Sequence, residues 1–138
     1  MAIITTESGS TAYLTRITSG LHQTTADTVE EFGGGGAGFR PHEFLEAALA
    51  SCLNIWIRIK ATEHGIELSG VSTTVKLSKD NPSEANFEYA IRLEGSVTKA
   101  QEELLLSDAD VCPVRQTLGR KLGFRAKPRH EPPLTTPP

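Results

Sequence analysis

Hydrophobic and polar positions alternate most cleanly in two stretches. Residues 71–77 put Val71, Thr73, Val75 and Leu77 on one side, and Ser72, Thr74 and Lys76 on the other. Residues 87–93 repeat the pattern with Phe87, Tyr89, Ile91 and Leu93. Between them, Asp80-Asn81-Pro82-Ser83 is turn chemistry. The two stretches predict an antiparallel pair of strands, each with one buried face. Between residues 41 and 64 the period becomes helical. Pro41 suits a first helical turn, and Gly65 suits the position just past the end. Phe44, Leu45, Ala47, Ala48, Leu49, Cys52, Leu53, Ile55, Trp56, Ile57 and Ile59 wrap most of this helix. A helix that is apolar nearly all round is buried. It is expected at the centre of the fold, a candidate for burial against a second subunit as well.

The remaining elements carry weaker signals. Residues 11–17 and 21–29 are short and Thr-rich, and Ser19-Gly20 between them predicts a β-hairpin. The run Gly33-Gly34-Gly35-Gly36-Ala37-Gly38 cannot hold regular structure. It lacks the Gly-Lys-Ser or Gly-Lys-Thr ending of a phosphate loop, so a flexible connection is the simpler expectation. Thr98-Lys99-Ala100-Gln101 matches a capping box and opens a helix that fades near residues 107–110. Cys112 and Pro113 then fit the N-cap and first position of a short helix running through Leu118 and stopping near Gly119. Residues 124–126 form a candidate last strand. From Lys127 onward the chain holds Pro128, Pro132, Pro133, Pro137 and Pro138, which predicts a disordered tail. The expected organisation is one domain over residues 1–126 and a tail over 127–138, without internal repeats.

Composition narrows the function classes. A length of 138 residues with 38% hydrophobic and 22% charged residues is ordinary for one globular domain. A formal charge of −3 and the absence of a basic block give no reason to expect nucleic-acid binding. The longest apolar segment, residues 45–59, is interrupted by Glu46, Ser51, Asn54 and Arg58 and is not a membrane span. The N-terminal residues lack a basic and then apolar leader, so no signal peptide and a reducing cytoplasm are expected. In that compartment two cysteines are more often buried residues or redox thiols than a structural disulfide.

Local sequence ranks those cysteines unequally. Cys112, at a predicted helix N-terminus, meets unpaired N–H groups and a dipole that favour a thiolate. Arg115 adds positive charge there, while Asp108 and Asp110 oppose it. A small buried residue beneath a helix start is the equally plain alternative. Cys52, mid-helix and among apolar residues, reads as a core residue unless a cation reaches it from elsewhere; Arg16, Arg40 and Arg115 are candidates. His22, His42, His64 and His130 show no metal-ligand spacing, and no metal or cofactor is expected. Glu43 and Glu46 share the first turns of the long helix, where the dipole already accounts for acidic residues.

Two segments together carry a resemblance. Arg40-Pro41-His42-Glu43-Phe44-Leu45-Glu46-Ala47-Ala48-Leu49-Ala50-Ser51-Cys52 resembles the first cysteine helix of the OsmC/Ohr family, and Asp110-Val111-Cys112-Pro113-Val114-Arg115-Gln116-Thr117-Leu118 resembles its second motif. The strand pair and the capped helix lie between them in the family's order. The resemblance implies an α+β fold of antiparallel sheets with long central helices, in which two chains intertwine as a homodimer. It implies that Cys52 attacks a small organic hydroperoxide, that Cys112 resolves the product to a disulfide, and that a dithiol reductant reopens it. An arginine activates the first cysteine in the reductases, and Arg16 is the best match, ahead of Arg40. The reductases hold that arginine with a glutamate directly after the motif proline. Here His42 takes that position and Glu43 follows, as in the broader OsmC-like branch. The alternative implied is a redox-sensing or small-molecule-binding protein on the same scaffold, without significant turnover.

Overall fold

The structure, a computed structural model, describes residues 2–135. Its contacts divide the chain into two compact units: Met1–Phe44 with Gly123–Pro138, and Leu45–Leu122.

The first unit contains three short strands, β1 (Thr5–Ser8), β2 (Thr15–Thr18) and β3 (Gln23–Ala26), paired antiparallel in that order. The predicted hairpin is present as β2 and β3, with Gly20 taking a positive φ of 91° in its turn. The strands are shorter than the sequence suggested. β1 was not anticipated: Thr5-Thr6-Glu7-Ser8 is wholly polar and wholly exposed, so no alternation marks it. The glycine run holds no helix or strand, as expected, but it is not slack. The buried Asp27 carboxylate accepts N–H bonds from Thr28 (2.8 Å), Ala37 (3.0 Å) and Gly35 (3.3 Å), and Gly36 N–H reaches Thr28 O at 3.0 Å. Gly34 passes close enough to the Thr28 carbonyl that a Cβ would lie 2.1 Å from its oxygen, which excludes any larger residue there. The strand expected at residues 124–126 is absent. A strand needs a partner to hydrogen-bond, and no described strand pairs with this segment. A turn follows, closed by Glu131 N–H to Pro128 O and a Lys127–Glu131 ion pair. Of the expected tail, residues 136–138 lie outside the described residues.

Helix α1 (Pro41–Glu63) opens at the end of the first unit and runs on as the longest element of the second. Gly65, with φ 67°, closes it in the left-handed conformation that glycine adopts without strain. Strands β4 (Gly70–Ser78) and β5 (Asn86–Glu94) pair antiparallel with Val75 opposite Tyr89, in the expected alternation. Helix α2 (Lys99–Ala109) starts with the capping box, Gln101 N–H to Thr98 Oγ1 at 3.1 Å and Thr98 N–H to Gln101 Oε1 at 3.0 Å. Helix α3 (Pro113–Leu118) follows after Cys112.

The second unit's core joins Leu49, Leu53, Ile57 and Ala61 of α1 to Ile66, Leu105, Ala109 and Cys112, with the inner face of β4–β5 packed against them. Three polar bonds lock α1 to β4: Asn54 Nδ2 to Val71 O, Thr73 Oγ1 to Ala50 O, and Leu77 N–H to Glu46 Oε1, all between 2.7 and 2.8 Å. α1 is not buried all round within the single chain. Leu45, Ile55 and Ile59 are 42%, 50% and 44% exposed.

Candidate functional site: a pair of free thiols

Cys52 and Cys112 lie 60 positions apart, and their sulfurs are 2.9 Å apart, with the Cys112 thiol donating to Cys52 Sγ. Both are free thiols. Cys112 is fully buried, whereas Cys52 is partly exposed on α1. α3 turns one N–H toward Cys52: the Val114 N–H bonds its sulfur and favours the thiolate. Burial outweighs that contact and pushes the Cys52 thiol up, and the neighbouring Cys112 sulfur pushes the same way. Cys112, at the N-cap, makes no side-chain capping bond. The helix N-terminus that Cys112 opens thus also supplies an N–H to Cys52.

Local backbone places the buried thiol. Cys112 N–H bonds Ala109 O at 3.1 Å, and Cys112 O accepts Gln116 N–H at 3.0 Å, so the residue is fixed from both sides. Pro113, at the first helical position, needs no N–H partner. Arg115 turns back to the end of α2, with Nη1 donating to Asp110 O at 2.6 Å and Nη2 lying 3.6 Å from Asp110 Oδ1. Its charge is thus directed to a helix C-terminus. An open cleft of about 560 Å³ lies beside α3, lined by Leu49, Phe87, Tyr89, Leu118, Arg115 and Arg120 among others, and by neither cysteine.

The other predicted site residues lie in the first unit. Arg16, on β2, pairs with Glu7 of β1 at 3.1 Å on an exposed surface. Glu43 grips Arg40: Oε1 accepts from Arg40 Nε (3.2 Å) and Nη2 (3.1 Å), and Oε2 accepts the Arg40 backbone N–H at 2.7 Å. The backbone bond and then the guanidinium hold the Glu43 carboxyl below the usual carboxylate range, against a smaller opposing effect of burial. His42 is exposed in the first turn of α1. Among the described residues there is no cluster of three or more metal-ligating side chains, and no helix is long and apolar enough to cross a membrane.

The model of the OsmC-like protein family matches residues 33–126, which include both cysteines and everything between them. The chain belongs to the OsmC-like family. Solved OsmC-like structures share its fold. An organic hydroperoxide resistance protein OsmC from Legionella pneumophila is 25% identical, with a TM-score of 0.63 over 86% of this chain and 89% of that one. An OsmC-like protein from Mycoplasma pneumoniae is 21% identical, with a TM-score of 0.67 over 86% of each chain. The organic hydroperoxide resistance protein OhrB of Bacillus subtilis is 20% identical, with a TM-score of 0.56 over 86% and 90%. A comparison with curated sequences yields no match. The α+β fold with antiparallel sheets, expected from the resemblance, is the fold of these OsmC-like structures.

Sequence reasoning missed several residues around the thiols of this OsmC-like chain. In the sequence Trp56 reads as one more apolar helix position, and its indole N–H donates to Asp108 O at 2.8 Å. His64 Nε2 lies 2.9 Å from Asp108 Oδ2 across 44 positions, a spacing that no motif announces. Val114 was visible only as part of the second cysteine motif.

Proposed function

We propose that this OsmC-like protein reduces organic hydroperoxides through Cys52 and Cys112. The observation that carries the proposal is the 2.9 Å contact between one partly exposed and one fully buried free thiol. Accessibility favours one order of events, because a peroxide can reach Cys52 and a sealed sulfur cannot meet it. The Cys52 thiolate attacks one peroxide oxygen, the O–O bond breaks, and the alkoxide leaves as the alcohol after taking a proton. Cys52 becomes a sulfenic acid. Cys112 attacks that sulfur and expels water, giving the disulfide, and a dithiol reductant returns both thiols while forming its own disulfide. The sulfurs must close only to about 2.05 Å.

Burial raises the Cys52 thiol, so activation calls for a cation beyond Val114 N–H. Arg16 takes that role by the family pattern, and Arg40, already held by Glu43, is the second candidate. His42 stands where the reductases carry their glutamate. The exposed apolar flank of α1, Leu45, Ala48, Ile55 and Ile59, fits cover by a second copy in a homodimer that leaves an opening at Cys52, which lies on the same flank. This reading places the reaction in a reducing cytoplasm, where free thiols persist.

Counting free thiols anaerobically before and after one equivalent of cumene hydroperoxide tests the reaction. Loss of two thiols per chain is expected, and retention of both refutes it. A second reading, a redox sensor without turnover, is favoured by the burial that disfavours the Cys52 thiolate. Fast multi-turnover peroxide consumption with dihydrolipoamide excludes that one.

A further inference from the structure

The last turn of α2 is gripped at two points, from α1 and from the residue just past its end. Trp56 Nε1–H donates to Asp108 O at 2.8 Å, and His64 Nε2 meets Asp108 Oδ2 at 2.9 Å. The same carbonyl accepts Val111 N–H at 3.2 Å, and the next bond along is Cys112 N–H to Ala109 O. Asp108 therefore sits at the head of the turn that delivers Cys112. Trp56 lies four residues beyond Cys52, on the same flank of α1. One helix thus carries the exposed thiol and the grip on the segment bearing its partner. The indole is itself restrained, with Lys60 Nζ 4.6 Å from its ring centre and paired to Glu63 at 2.7 Å.

We propose that Asp108, held by Trp56 and His64, is the positioning residue that sets Cys112 against Cys52. Two bonds anchoring Asp108 fix how far the Ala109–Cys112 turn can drift from α1. A sulfur held in place reacts as if at high concentration, and one on a loose turn does not. This role rests on the thiol pair being functional, as proposed above, and requires no particular oxidant.

The test is the equilibrium of the full-length protein with reduced and oxidised glutathione. Cys52 and Cys112 give up two protons and two electrons as their S–S bond forms, and glutathione disulfide is cleaved to two thiols. His64→Ala and Trp56→Phe are each expected to lower the equilibrium constant for disulfide formation at least tenfold, about 30 mV for a two-electron couple. His64→Gln, which keeps a side-chain N–H, is expected within threefold of the parent. Trp56→Phe keeps an aromatic ring and loses the donor together with the indole's five-membered ring, and it gives a second test if His64→Ala fails to fold. Trp56→Phe or a folded His64→Ala within threefold of the parent overturns the role, as does His64→Gln falling tenfold. A parent protein that forms no Cys52–Cys112 disulfide defeats the proposed function and this role together. A parent that forms one while its variants match it defeats the positioning role alone.

Discussion

Leu53 and Ile55 lie two residues apart on α1 and point to nearly opposite sides, so truncating each probes a different partner. Leu53 is fully buried in the cluster that also contains Leu49, Ile57, Leu105 and Cys112. Leu53→Ala removes three carbons from a packed site and should cost about 3 kcal/mol within one chain. With a urea dependence of about 1.5 kcal/mol per M, the unfolding midpoint should fall by about 2 M. Ile55 is half exposed in the single chain. Its remaining half, if covered by a second copy, is worth about 1 kcal/mol, since full burial of such a side chain gives about 1.5–3 kcal/mol. Two-fold symmetry doubles this, so Ile55→Ala should raise the dimer dissociation constant by about 30-fold. The chain has one tryptophan, Trp56, whose emission can follow unfolding, and sedimentation equilibrium measures association. Leu53→Ala should shift the urea midpoint at every protein concentration, and Ile55→Ala should shift association above all. Equal midpoint losses with association untouched would show that no second copy covers this flank.

Cys112→Ser should leave Cys52 to react with one equivalent of hydroperoxide but stop at the sulfenic acid, trapped by dimedone and read by mass; an unreactive Cys52 would contradict the assigned order. Asp27, held below the usual carboxylate range chiefly by the Ala37 and Thr28 N–H groups, contributes stability that is present above about pH 4 and lost as pH falls through its lowered value. Asp27→Asn should therefore lower the urea midpoint at pH 7 and converge with the parent at acid pH; a constant gap from pH 3 to 7 would sink the argument. Glu43→Gln should slow Cys52 oxidation if Arg40 supplies the activating charge, and leave it unchanged if Arg16 does, with Arg16→Ala giving the converse.

What the sequence disclosed follows from which signals are local. α1, β4, β5 and α2 were legible because period, turn chemistry and caps are written within each segment, and Thr98 with Gln101 makes both bonds that its capping box implies. β1 was not legible because an exposed strand needs only a neighbour's edge, and Thr5-Thr6-Glu7-Ser8 buries nothing that would set an alternation. Residues 124–126 failed for the converse reason, having apolar character but no partner. The glycine run looked slack because its restraint is a single carboxylate, Asp27, bonded across eight and ten positions.

The thiols show the limit most clearly. Composition and helix chemistry alone made Cys112 the better nucleophile, since it begins α3. The Val114 N–H at that helix start also reaches the sulfur of Cys52. An N-cap side chain that caps its helix folds over the first N–H groups to bond them, and Cys112 makes no such bond. Its sulfur is directed instead into the core and toward Cys52, while Val114 N–H is left to bond the Cys52 sulfur. A helix start can thus bond a sulfur 62 positions away, and no reading of residues 110–118 alone discloses that contact. The touching sulfurs differ in burial. In the proposed reaction the sealed thiol resolves, and the open one, disfavoured as a thiolate by burial, calls for a cation.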